Sequence, residues 1–140
     1  MTEERDVVRT LGNTVRMLRA RVDRALQHVG LRLGQFQVLS HLWKEDGLTP
    51  RQIALRLDVE MPTVTRTVQR MVRDGLVRRE AHQSDARSVR IYLTKRGSEL
   101  EPVLESILDR EKEHALRGFA PGERAMLVQM LDRITENSRE

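Results

Sequence analysis

Thr63, Arg66, Thr67 and Arg70 stand at helical spacing behind Pro62, and Val64, Val68, Met71 and Val72 fall between them. The apolar set predicts a buried helix side; the threonines and arginines fall on the other. Such a face suits hydrogen bonding to base edges and to phosphates. Arg73 adds a third positive charge to the same helix. Further on, Asp85 and Arg87 lie two residues apart in a polar stretch. An arginine entering a minor groove needs its guanidinium held, and a nearby carboxylate can do that.

The elements around these residues can be read in order. Thr49-Pro50-Arg51-Gln52 has an N-cap, a proline at the first helical position and a capping-box glutamine. It predicts a short helix whose buried side is Ile53, Ala54, Leu55 and Leu57. The helix bearing the threonines and arginines follows, opened by Pro62 and stopped at Asp74-Gly75, with the glycine as a left-handed C-cap. Leu76 to Arg79 reads as a strand, and Val89, Ile91 and Leu93 alternate with Arg90 and Tyr92 as a half-buried strand opposite it. Glu80 to Ser88 between them reads as a polar loop, too long for a two-residue hairpin turn. The order of helix, turn, helix, strand, loop and strand is that of a winged helix-turn-helix, which sets one helix in a major groove and one loop near a minor groove.

Charge is placed accordingly. Residues 49–97 hold 11 Lys and Arg against 5 Asp and Glu, a net of +6, whereas the rest of the chain has 14 against 16, a net of −2. A local cationic field of this kind neutralises phosphates and releases counterions.

On these residues the chain resembles the MarR family, the multiple-antibiotic-resistance regulators. The motifs that carry the resemblance are Thr63-Val64-Thr65-Arg66 with Arg70-Met71, then Asp74-Gly75-Leu76-Val77-Arg78-Arg79, the pair Asp85 and Arg87, and Leu93-Thr94 with Gly97. Leu33-Gly34-Gln35-Phe36-Gln37-Val38-Leu39 resembles the family's preceding helix, so the likeness covers nearly all 140 residues. Ala86 departs from the arginine common in mid-wing, and Gly34 stands where the family often has threonine, which would weaken an N-cap there.

The resemblance implies a mainly α fold with a small β-ribbon, a single domain over 1–140. Residues 31–97 would form the DNA-binding lobe; 1–30 and 98–140 would supply dimerisation helices. It implies a homodimeric repressor of an inverted-repeat operator in double-stranded DNA, contacted through Pro62, Thr63, Thr65, Arg66, Thr67, Arg70, Arg73, Asp85 and Arg87. It also implies release by a small lipophilic or aromatic effector, for which Arg16, Arg19, His41, Trp43 and His114 are candidate wall residues. Each of these five has a plainer reading as a packing or solvent-facing side chain.

The flanks follow their own pattern. Val7, Leu11, Val15, Leu18, Val22, Leu26 and Val29 are spaced 4, 4, 3, 4, 4 and 3, one stripe on a helix of about six turns at ~3.6 residues per turn. Gly30 ends it, and Leu33 to Lys44 predicts a second helix. After Thr94 as N-cap a long helix is expected, with a kink or late start at Pro102 and a stop at Gly118. Pro121 opens a last helix with Leu127, Met130, Leu131 and Ile134 on one side. Neither outer stripe has an evident partner within the short winged core.

Other classes find less support. The four histidines are scattered, with no spaced metal motif, no phosphate-binding glycine loop and no nucleophile elbow. No enzyme activity, metal or cofactor is therefore expected. A winged-helix module for protein contacts alone predicts an uncharged second helix, contrary to Arg66, Arg70 and Arg73. An enzyme site at a dimer interface predicts a cluster of acid, base or nucleophile, and none is visible. There are no cysteines, which rules out a disulfide or thiol switch and fits a cytoplasmic setting. No apolar run nears the ~18 residues of a membrane span, and the charged N-terminus lacks a signal-peptide core.

Overall fold

The structure, a computed structural model, describes residues 4–82 and 85–140; for 82 and 85–88 it describes the backbone alone. The chain forms two compact units, Met1–Leu108 and Asp109–Glu140. The first holds a 3-10 turn (Glu4–Asp6) and helices α1 (Val7–Gln27), α2 (Leu33–Lys44), α3 (Pro50–Leu57) and α4 (Met61–Arg73). Strands β1 (Val77–His82) and β2 (Asp85–Leu93) and the short α5 (Lys95–Glu99) follow. Helix α6 (Glu101–Ala115) runs from the first unit into the second, which also holds α7 (Pro121–Asn137).

Local chemistry sets most boundaries. Thr49 Oγ1 accepts the Gln52 N–H at 3.1 Å while Gln52 Oε1 accepts the Thr49 N–H at 2.9 Å, the reciprocal capping box the sequence predicts for α3. Thr94 Oγ1 accepts from Gly97 N and caps α5. The expected long helix is broken: α5 ends before Leu100, and α6 restarts with Pro102 in its first turn, where a proline has no N–H to lose. Gly75 has φ +75°, the left-handed conformation its place after α4 demands.

The N-terminus of α2 is capped differently from the expectation. Arg32 is the N-cap residue, and Gly34 lies inside the first turn. Asp23 Oδ1, reaching from α1, accepts the Leu33 N–H at 3.0 Å, and Gln35 Oε1 accepts the Arg32 N–H at 3.1 Å. The absence of a side chain at residue 34 therefore takes nothing from the cap.

The core of the first unit is one apolar cluster. Leu26 and Leu31 meet Val38, Leu39 and Leu42 of α2, Ile53 of α3, and Val64, Val68 and Met71 of α4; Leu76, Ile91 and Leu104 close it. Two apolar residues expected inside are outside. Leu55 is 73% exposed and Val72 is 40% exposed. The turn angle explains both: Leu55 lies two residues from Ile53, hence on the opposite side of α3, and Val72 is one residue past buried Met71. The stripe on α1 is also divided. Leu26 is fully buried and Val22 and Val29 pack on the core, while Val7, Val15 and Leu18 are exposed. The carboxyl-terminal third of α1 thus has its partner within the chain.

The ribbon is longer than the sequence suggests. β1 and β2 pair antiparallel from Val77↔Leu93 through Ala81↔Val89, then shift register to His82↔Asp85. Residues 80–82 and 85–88 of the stretch read as a polar loop are strand; Glu80 and Ala81 are exposed, so no burial imposes on them the alternating pattern by which a strand is read. A third segment joins at the base: Gly47 N donates to Ile91 O and Ile91 N to Leu48 O. Asp46 Oδ1 accepts the Leu93 N–H at 2.9 Å, and Arg90 Nη1 donates to Gly47 O at 3.0 Å. These bonds tie the ribbon to the connection between α2 and α3.

In the second unit, Arg124 of α7 makes two bonds to the Glu113 carboxylate, at 3.0 and 3.2 Å, and a third to Leu116 O. The paired guanidinium holds the Glu113 carboxyl below the usual range. Met126, Val128, Met130, Leu131 and Ile134 of α7 are exposed. No described helix is long and apolar enough to cross a membrane.

Candidate nucleic-acid interface

Helix α4 separates its two sides sharply. Val64, Val68 and Met71 are buried, while Pro62, Thr63, Thr65, Arg66, Arg70 and Arg73 are exposed and Thr67 is half-buried. The core therefore fixes the rotation of the helix and turns the Thr63, Arg66, Thr67 and Arg70 face outward. Among the described residues neither Arg66 nor Arg70 has an ion-pair partner. Arg73 differs: its Nε lies 3.6 Å from Asp74 Oδ1. Such an exposed pair is weak and is screened by salt.

Behind α4 lies a polar node that sequence reasoning missed. Gln35 is the buried polar residue of the core, 6% exposed. Its Nε2 donates to Asp74 Oδ2 at 3.2 Å. Asp74 O accepts from Arg96 Nη1, and Gly75 O accepts from Thr94 Oγ1, both at 2.6 Å. The carbonyls at the end of the outward-facing helix are thereby held by residues following the ribbon. Gln35 and Gln37 both interrupt the stretch Leu33 to Leu39, and nothing in the sequence marks Gln35 as the buried one.

Arg78 is not available as a free cation. Its Nε donates to Glu80 at 2.8 Å, its Nη1 donates to Leu93 O, and its guanidinium lies 5.2 Å from the centre of the Tyr92 ring. Asp85 and Arg87 belong to β2, but their side chains lie outside the described residues, as does the side chain of Ala86.

The five expected effector residues lie on α1 (Arg16, Arg19), α2 (His41, Trp43) and α6 (His114). Arg16 donates to Asn13 Oδ1 on the surface of α1. Trp43 is engaged in structure: its Nε1 donates to Gly97 O at 2.9 Å and its ring meets Phe36 edge-on, 6.2 Å between centres. His41 is half-buried, and burial, with Arg56 and Lys44 nearby, lowers its pKa below 6.5. His114 is exposed in the second unit. Arg19 lines a cleft of about 450 Å³ together with Thr67 and Arg70. Among the described residues no group of three or more His, Asp and Glu is placed to hold a metal.

Two helices in helix-turn-helix relation, the second with a cationic outer face, followed by an antiparallel ribbon, define a winged helix-turn-helix protein. Comparison with known proteins narrows this. The MarR family model matches residues 29–88. The transcriptional regulator PA3341 is 35% identical, with 95% of this chain and 98% of that one covered at a TM-score of 0.81. A MarR transcriptional regulator from Methanosarcina mazei Go1 is 26% identical over 96% of this chain and 97% of its own, with a TM-score of 0.88. A putative MarR family regulator from Listeria monocytogenes, solved with a 26mer DNA, is 22% identical; 98% of this chain and 89% of that chain are covered, with a TM-score of 0.84. The chain belongs to the MarR family of transcriptional regulators.

Proposed function

We propose that this regulator acts as a homodimer that binds an inverted-repeat operator in double-stranded DNA and represses by occupying it. The observation that carries the reading is the outward face of α4. It presents two threonine hydroxyls and two guanidiniums without ion-pair partners among the described residues, on a helix whose other face is locked into the core. Guanidinium and hydroxyl groups complement guanine edges and phosphate oxygens. The Listeria monocytogenes relative was solved with DNA, which supports the same partner for this chain. In this reading Thr63, Thr65 and Arg66 approach base edges, Pro62 sets the start of the helix, and Thr67, Arg70 and Arg73 serve the backbone. Asp85 and Arg87 are assigned to the minor groove on sequence grounds.

The dimer is supported by bare apolar surface on each unit: Val7, Val15 and Leu18 of α1, and Met130, Leu131 and Ile134 of α7. Two-fold pairing doubles the contacts on a palindromic site. Release by a small aromatic or lipophilic effector rests on the family resemblance. A cytoplasmic location accords with DNA as the partner.

The test is a gel shift against fragmented genomic DNA at two salt concentrations. Retention of a few fragments against excess competitor, weakening steeply with salt, is expected. Uniform retention of all fragments, or of none, overturns the reading.

A further inference from the structure

The cleft of about 450 Å³ is walled by Arg19 and Asp23 of α1, Arg32 and Gly34 at the start of α2, and Thr67 and Arg70 of α4. Its charges divide into two groups. Asp23 and Arg32 satisfy each other: Arg32 Nε donates to Asp23 Oδ1, and its Nη2 lies 3.1 Å from Asp23 Oδ2. Arg19 and Arg70 have no ion-pair partner among the described residues. The cleft is thus left with two uncommitted guanidiniums on different helices and the hydroxyl of Thr67. Gly34 faces the same space: a Cβ there would meet Thr67 Oγ1 at an ordinary contact distance of 3.9 Å, so a longer side chain would enter the cleft.

A ligand for this arrangement must carry several oxygens and negative charge, since the guanidinium fork matches phosphate and carboxylate geometry. The position selects the source. Thr67 and Arg70 belong to the same α4 stripe that the proposed function turns toward the duplex, so the cleft is continuous with that surface. We propose that the cleft grips one phosphodiester of the DNA backbone, with Arg19 as a contact residue beside Arg70. The N-terminal helix, assigned by the resemblance to dimerisation, then also holds DNA. This rests on the DNA-binding reading above and adds a contact to it.

The experiment measures binding of the full chain to a selected operator and to a random duplex across a salt series, for wild type, Arg19→Gln and Gly34→Asp. An acid in the first turn of a helix favours the helix, so Gly34→Asp is expected to keep its thermal stability while placing a carboxylate in the cleft. Each variant is expected to weaken both duplexes alike, about three- to tenfold, and to lower the slope of log affinity against log salt by about one. Operators with single neutral methylphosphonates complete the test: the substitution at the gripped phosphate weakens wild type more than it weakens Arg19→Gln, in which Arg70 alone still meets that phosphate. Wild-type binding that both variants retain, with unchanged slope, overturns the proposal alone. The same holds if no single phosphate couples to Arg19 while inorganic phosphate stabilises wild type but not Arg19→Gln, since the cleft then takes a free anion. A wild-type protein that binds no duplex overturns the DNA-binding reading and the cleft together.

Discussion

Gln35 and Asp74, 39 residues apart, join the start of α2 to the end of α4 through one hydrogen bond of 3.2 Å. Gln35 spends its other polar atom on the Arg32 N–H, so a single buried amide serves the cap of one helix and steadies the end of another. Gln35→Ala is expected to cost about 1–3 kcal/mol, the penalty for stranding buried partners. Gln35→Glu should cost more, because it sets a second carboxylate beside Asp74. Urea unfolding of both variants checks this; stability equal to wild type in Gln35→Glu would contradict it.

Gly97 is required by close approach. A Cβ there would lie 2.2 Å from the Leu76 carbonyl oxygen, which is backbone and cannot swing aside. Gly97→Ala is therefore expected to destabilise by roughly 3 kcal/mol, at the upper end of overpacking effects. It should also disturb Trp43, whose indole donates to Gly97 O. Tryptophan fluorescence followed through thermal unfolding reports both effects, and an unshifted midpoint would contradict the account.

Acid should loosen the joint between α1 and α2. The Asp23 pKa is lowered from 3.8, by its hydrogen bond from the Arg32 side chain first, then by that from the Leu33 N–H. Its contribution to stability is full above the unfolded value of 3.8 and is lost as pH falls below that toward the folded value. His41 adds a second acid loss of the same sign. Its neutral form is favoured by burial, so the unfolded chain takes up the proton first as pH falls through 6.5. Stability against pH should decline in two stages on acidification. Asp23→Asn should flatten the lower stage and His41→Gln the upper; a curve that neither variant alters would contradict the assignment.

Arg66 and Arg70 should separate by role. Arg66→Ala is expected to cost about 1–3 kcal/mol on operator and less on random duplex, as for a base-edge contact. Arg70→Ala should weaken both alike and reduce the salt slope by about one. Arg87→Ala, in the wing, should cost operator affinity on a similar scale. Equal losses on operator and random DNA in Arg66→Ala and Arg70→Ala would rule out the division.

The parts of this fold that were legible in the sequence are those set by local chemistry. The capping box at Thr49, the glycine stop at Gly75, the Thr94 cap and the break before Pro102 all follow from side chains within a few residues of the boundary. So does the outward face of α4, because three buried positions fix its rotation. The rest depends on distance. Residues 78–81 of the ribbon are exposed, carry no burial pattern and are defined as strand by their pairing. Leu55 and Val72 have core-like side chains on the wrong arc of their helices. The Gln35–Asp74 bond joins residues 39 apart, and the Arg19 cleft sets α1 and the start of α2 beside Thr67 and Arg70 of α4, which no local spacing announces.

The central claim is that two chains read one inverted repeat through paired α4 helices. The most direct measurement is the stoichiometry and affinity of the full chain on its selected operator, compared with a single half-site and a random duplex, by sedimentation and binding titration at one salt concentration. Two chains per operator are expected, with half-site centres about 10 base pairs apart and affinity for the operator about 10³-fold or more above random duplex. A single chain bound to an isolated half-site at full affinity, or no preference for operator over random duplex, would contradict the account.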